Sequence, residues 1–166
     1  MENNLTGAIL NICNILNNHT VQYLIVGGTA VALHGYFRKS MDSAGQYTDK
    51  PDLDFWYNPT YSNYFKLLEA LGDLGMDVTV FKEESSPDPK SSFFKYELEK
   101  FTIDFLPTLK AKINFRAAFN RRENVTFSNI NIPFICYEDL IFDKLANARP
   151  KDITDIKQLK TRIKEK

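Results

Sequence analysis

The run Asp52-Leu-Asp-Phe-Trp-Tyr57 alternates acid with apolar residue and then turns wholly apolar. Side chains two apart on a strand share a face. A strand over 52–57 therefore turns both carboxylates to one side, with Leu53 and Phe55 on the other. A second run of this kind, Phe101-Thr-Ile-Asp-Phe-Leu106, holds Asp104 between Ile103 and Phe105. Acids inside apolar strands are costly to bury unless something neutralises them. The two runs must lie in a covered sheet, at a place where their charge is compensated. Upstream, Tyr23-Leu-Ile-Val-Gly-Gly-Thr-Ala-Val-Ala-Leu-His-Gly35 reads as a buried strand over 21–26, a break at Gly27-Gly28 and a helix over 29–34.

The remaining elements follow from periodicity. Leu5, Ala8, Ile9, Ile12, Ile15 and Leu16 recur at helical spacing, predicting a helix over 5–17. Residues 38–51 are polar and read as a loop. Tyr61, Tyr64, Phe65, Leu68 and Leu71 mark a helix stopped by Gly72. A third strand is predicted over 76–81, and further strands over 93–98 and 101–106, on either side of Glu99-Lys100. A helix over 112–120 precedes a β-hairpin turning at Ser128-Asn129. Two C-terminal helices follow, one ending before Pro150. The order predicts a mixed β-sheet flanked by helices, in the α/β or α+β class. At 166 residues the expectation is one domain, with residues 138–166 as a small helical appendage.

Lys+Arg and Asp+Glu balance at 21 each, so the chain lacks the global charge of a dedicated nucleic-acid binder. The stretch from Lys110 to Arg122 holds five cations and no acid. It reads either as a solvated helix face or as a phosphate-contacting surface. Cys13 and Cys136 lie in apolar runs and are expected to be buried free thiols. No apolar stretch reaches the roughly 18 residues that span a bilayer, and no secretory signal pattern opens the chain. The expected location is the cytoplasm.

Three aspartates converging in one cleft repel one another by about 3 kcal/mol per pair at roughly 6 Å and an effective dielectric near 20. Either a cation or a proton must offset this. Magnesium suits an all-oxygen site and keeps coordination positions for substrate phosphates. The glycine break lets backbone N–H groups approach an anion, and the Thr29 hydroxyl could donate one more hydrogen bond. By itself the double glycine also suits a bare tight turn. Lys144 borders the apolar face of its predicted helix and could reach a triphosphate. Asp139 and Asp152 fit helix N-caps or first-turn acids. Arg149 and Lys151 flank Pro150, where either could contact phosphate or face solvent.

The run from Gly27 to Gly35, then Arg38, then Asp52-Leu-Asp54-Phe, resembles the nucleotidyltransferase superfamily of the DNA polymerase β type. The ending Asp139-Leu-Ile-Phe-Asp-Lys144 … Ala148-Arg-Pro-Lys-Asp152-Ile-Thr-Asp155 resembles its AbiEii-like toxin branch. The likeness runs from about Tyr23 to Leu159. It implies transfer of a nucleoside monophosphate from a nucleoside triphosphate to a hydroxyl, with release of pyrophosphate and two magnesium ions. By position, Asp52, Asp54 and Asp104 would be the catalytic metal ligands. Gly27, Gly28, Thr29, Arg38 and Lys144 would contact the nucleotide. The acceptor would be an RNA, such as a tRNA, or a protein, and a toxin role would imply an antitoxin partner. The sequence departs from the pattern in the longer spacing between Arg38 and Asp52, which brings Asp42 and Asp49 near the site in sequence. Two other readings share these residues: a nucleotide-binding or interaction module without transfer, and a metal-dependent phosphohydrolase.

Overall fold

The computed structural model describes residues 2–36 and 50–164. Arg38, Asp42, Asp49 and the rest of the 39–51 loop up to residue 49 lie outside the described residues. In chain order, the elements up to the middle of the molecule are α1 (Glu2–Asn18), β1 (Tyr23–Val26), α2 (Gly27–Leu33), β2 (Asp52–Tyr57), α3 (Tyr61–Asp73) and α4 (Thr79–Lys82). Then come β3 (Phe94–Glu97), β4 (Thr102–Leu106), α5 (Phe115–Asn120), β5 (Glu123–Phe127), β6 (Ile130–Phe134), α6 (Tyr137–Asn147) and α7 (Pro150–Lys164). The strands form one mixed sheet in the order β3-β4-β2-β1-β6-β5. The central strand β2 runs antiparallel to β1 and parallel to β4, and β1 runs parallel to β6.

Alternation on β2 sorts its side chains as the sequence predicts. Leu53, Phe55 and Tyr57 are buried on one face. There Phe55 stacks on Phe105 with ring centroids 5.0 Å apart, and Tyr57 packs against Phe94. α3 supplies Tyr64, Leu67, Leu68 and Leu71 to this core. The opposite face carries Asp52, Asp54 and Trp56. Phe115 of α5 closes the Trp56 end by an edge-on contact at 5.0 Å. His34, at the end of α2, places Nε2 2.8 Å from the Ile135 carbonyl. A carbonyl only accepts, so Nε2 carries the proton, and the bond ties α2 to the start of α6.

Ser128 and Asn129 both adopt positive φ, 51° and 64°, as a two-residue type I′ hairpin requires. The strand predicted over 76–81 does not form. Asp77 accepts a hydrogen bond from the Thr79 amide at 3.1 Å and starts the short α4 instead. β3, paired with β4 alone, forms the sheet edge on that side. The helix predicted over 112–120 begins only at Phe115, because the Asn114 side chain caps it through the Ala117 amide. Among the described residues, no helix is long and apolar enough to cross a membrane. Cys13 and Cys136 are buried and free.

Candidate active site

Sheet register builds the site. β1 ends at Val26, paired with Asp54, and Asp54 in turn pairs with Asp104 on β4. Neighbouring strands lie about 4.8 Å apart, so the two carboxylates are side by side on the uncovered part of the face. Burial, then the charges of Asp104 and Asp52, push the Asp54 carboxyl up to about 7, against the opposing pull of Lys151 and Lys144. Burial also raises Asp104, while Lys95, its cross-strand neighbour on β3, pulls it down. One oxygen of Asp104, Oδ1, is buried with no hydrogen-bond partner.

Gly27 is the second wall of the site. Its φ is +67°, and a Cβ there would stand 2.3 Å from Oδ2 of Asp54. Only glycine fits, because the backbone turn and the carboxylate occupy the same space. Gly27→Ala is expected to cost about 1–2 kcal/mol for the left-handed backbone alone, and to displace Asp54 as well. Thermal unfolding should fall by a few degrees. Magnesium-dependent nucleotide binding, read by calorimetry, should be lost. Unchanged binding would mean that Asp54 does not need this position. α2 starts at Gly27 and spans 7 residues, so its dipole is small. Gly28, Thr29 and Asp52 are among the residues lining a cavity of about 550 Å³ between α1, α2 and the β5–β6 hairpin.

Asp52 is exposed, and its carboxylate accepts a hydrogen bond from the Thr102 hydroxyl, its register partner on β4. Among the described residues, no three His, Cys, Asp or Glu side chains are grouped to hold a metal ion. The structure thus brings Asp54 and Asp104 together as the close pair, with Asp52 at the rim. The donors are all oxygens, and the partnerless buried Oδ1 of Asp104 beside a raised Asp54 is the arrangement a divalent cation would satisfy.

Lys144 is 3% exposed. Its ammonium lies 3.2 Å from Asp152 and 3.1 Å from Asp155, both fully buried. Asp152 sits in the first turn of α7, as the sequence suggested, and also accepts from the amide and Nε of Arg149 at 3.0 and 2.6 Å. Burial opposes its charge, but Arg149 and Lys144 outweigh it, holding the carboxyl below its ordinary range. Lys151 is half-buried in the same turn and acts on Asp54 more strongly than Lys144 does. Of the basic run, Arg121 forks onto Asp139 in the first turn of α6, and Arg122 lies over the Phe119 ring at 3.9 Å. Lys110, Lys112 and Arg116 remain exposed. Lys95 was not singled out by the sequence reading. Its position opposite Asp104 depends on an antiparallel register that no local pattern encodes.

A raised carboxyl pKa makes stability pH-dependent with a definite sign. The folded chain holds a proton on Asp54 up to about pH 7, whereas the unfolded chain releases it near its ordinary value of about 3.9. The contribution of Asp54 to stability therefore falls as pH rises from about 4 to 7 and levels off above. In a metal-free melting series, Asp54→Asn should flatten this fall. Magnesium added at pH 8 should raise the wild-type midpoint and leave the variant's where it was.

The six-stranded mixed sheet flanked by helices has a fold similar to that of a solved nucleotidyltransferase. The chain is similar to the solution structure of the antibiotic-resistance factor ANT(2'')-Ia, a nucleotidyltransferase, with a TM-score of 0.62 and 16% identity over 98% of this chain and 86% of that one. No protein-family model matches the chain, and no curated protein gives a significant sequence match.

Proposed function

We propose that this protein is a magnesium-dependent nucleotidyltransferase that moves a nucleoside monophosphate from a nucleoside triphosphate to an acceptor hydroxyl. The observation that carries this reading is the Asp54–Asp104 pair packed against Gly27, with one buried Asp104 oxygen left without a partner. Asp54 and Asp104, with Asp52 at the rim, would hold magnesium. When bound, the metal neutralises the triphosphate and polarises the reacting phosphorus. The amides at Gly27-Gly28 and the Thr29 hydroxyl would hold the triphosphate oxygens. Lys151 and Lys144 supply positive potential at Asp54, as the opposing pull on its carboxyl indicates. Asp104 would accept the acceptor's proton as its oxygen attacks the α-phosphorus. The bond to the β-phosphate then breaks, and pyrophosphate leaves. Arg38, as a further nucleotide contact, belongs to this proposal through its place in the motif.

The acceptor would be an RNA, such as a tRNA, or a protein. A toxin role with an antitoxin partner would follow from the resemblance of the C-terminal motif, and a cytoplasmic location is part of the same proposal. One observation favours a second reading, a nucleotide-binding module without transfer: Asp52 is bonded to Thr102 rather than grouped with the other acids. The deciding experiment offers each of the four nucleoside triphosphates, labelled at the α-phosphate, with magnesium and total cellular RNA or protein. Label retained on an acceptor with matching pyrophosphate supports transfer. Release of inorganic phosphate instead points to a phosphohydrolase, and tight binding without either product points to the module.

A further inference from the structure

Thr102 is the first residue of β4, and it clasps the start of β2 twice. Its amide donates to the Pro51 carbonyl at 3.0 Å, and its hydroxyl donates to Oδ1 of Asp52. Register sets two acids beside that hydroxyl, since Thr102 lies opposite Asp52 on β2 and opposite Glu97 on β3. A hydroxyl has one proton to donate, and this one goes to Asp52. The two partners differ in freedom. Thr102 is 4% exposed and, being β-branched, is stiff at χ1, whereas Asp52 is exposed. A buried, rigid donor therefore fixes the carboxylate of a side chain that would otherwise turn in solvent. The Asp54–Asp104 pair lies two residues along the same face, and the charge of Asp52 acts on both of its members.

We propose that Thr102 is a positioning residue that sets the cation specificity of the acidic site: by engaging Oδ1 of Asp52 it leaves this rim carboxylate one oxygen to offer, which favours magnesium over calcium. The proposal rests on the transferase reading, in which Asp52, Asp54 and Asp104 hold magnesium, and adds how the site rejects the larger ion. Calcium takes about six to eight oxygens and readily accepts both oxygens of one carboxylate. Magnesium demands an octahedral shell, filled by one or two carboxylates together with waters and substrate phosphates. A carboxylate free to turn can give calcium both oxygens. One whose Oδ1 already holds a hydroxyl proton must break that bond to do so. The same bond keeps the remaining oxygen in a fixed place, which serves the ion with the stricter geometry.

The test is a melting series of the full chain at pH 8 with magnesium alone and with calcium alone, on wild type, Thr102→Val and Thr102→Ser. The rise of the midpoint with cation concentration gives an apparent affinity for each ion. Thr102→Val keeps the branched shape and strand preference of threonine and removes the hydroxyl. Water can reach the exposed Asp52 in its place, so the variant should fold. Its magnesium affinity should fall by about tenfold, the usual loss when a partner of a metal ligand is removed. Its calcium affinity should hold or rise. Thr102→Ser, which keeps the hydroxyl, should retain the wild-type preference. A structural role alone would weaken both ions equally. That result, an unchanged preference in Thr102→Val, or a serine variant that behaves like the valine one would overturn the proposal and leave the transferase reading in place. A wild-type midpoint that neither ion moves would remove the metal site, and with it both the transferase reading and this proposal.

Discussion

Asp54→Ala and Asp104→Ala are each expected to lower nucleotidyl transfer by about a thousandfold or more, while both proteins stay folded. Metal-assisted charge neutralisation supplies several kcal/mol of transition-state stabilisation, and each 1.36 kcal/mol is tenfold in rate. The two residues are register partners on adjacent strands, so either loss leaves a single carboxylate where two are needed. Stability should move the other way. Without metal, the pair is a standing cost, since burial and mutual repulsion hold Asp54 partly protonated at neutral pH. Removing one acid relieves it, and the metal-free melting midpoint at pH 8 should match or exceed wild type. A variant that kept transfer would overturn the site. A variant that lost both transfer and fold would be uninformative, so the same comparison should include Asp54→Asn and Asp104→Asn, which keep the side-chain volume.

Lys144→Met is expected to lose about 3–5 kcal/mol of stability, the usual consequence of leaving buried carboxylates without their cation. At about 2–4 °C per kcal/mol for a chain of this size, the melting midpoint should fall by roughly 10 °C. Asp152 and Asp155 are fully buried, and Lys144 meets both within 3.2 Å. The cluster joins α6 to α7 across Ala148, whose φ of 50° ends α6 in a left-handed turn. Because the same elements carry Lys151 toward Asp54, loss of the clamp should also weaken nucleotide binding. Adding Asp155→Asn should recover part of the midpoint by removing one uncompensated charge. A Lys144 variant with normal melting and lower nucleotide affinity would instead make this lysine a direct phosphate contact.

Local patterning made much of the fold legible. The β2 strand falls on 52–57 as the alternation predicts, because acid and apolar residues there sort cleanly onto two faces. The Ser128-Asn129 turn and the first-turn acids Asp139 and Asp152 are likewise local signals. Segment 76–81 misled because Val78 and Val80 suit a strand, yet only Val78 is buried and Val80 is 75% exposed. The Asx turn at Asp77, which starts α4, decided the matter. At the site, the acids could be named from sequence, but not which two would pair. That depends on the parallel register of β2 and β4, which sets Asp54 opposite Asp104 and Asp52 opposite Thr102. Lys144 was visible as a lysine beside an apolar face. Its two aspartate partners come from the next helix, and only the α6–α7 packing brings them to it.

The most direct test of the central claim is calorimetric titration of the full chain with a non-hydrolysable nucleoside triphosphate, with and without magnesium, on wild type and Asp54→Asn. The account predicts binding that requires magnesium in wild type and is lost in the variant. Binding that ignores magnesium, or that survives in Asp54→Asn, would contradict a metal–triphosphate site at the Asp54–Asp104 pair.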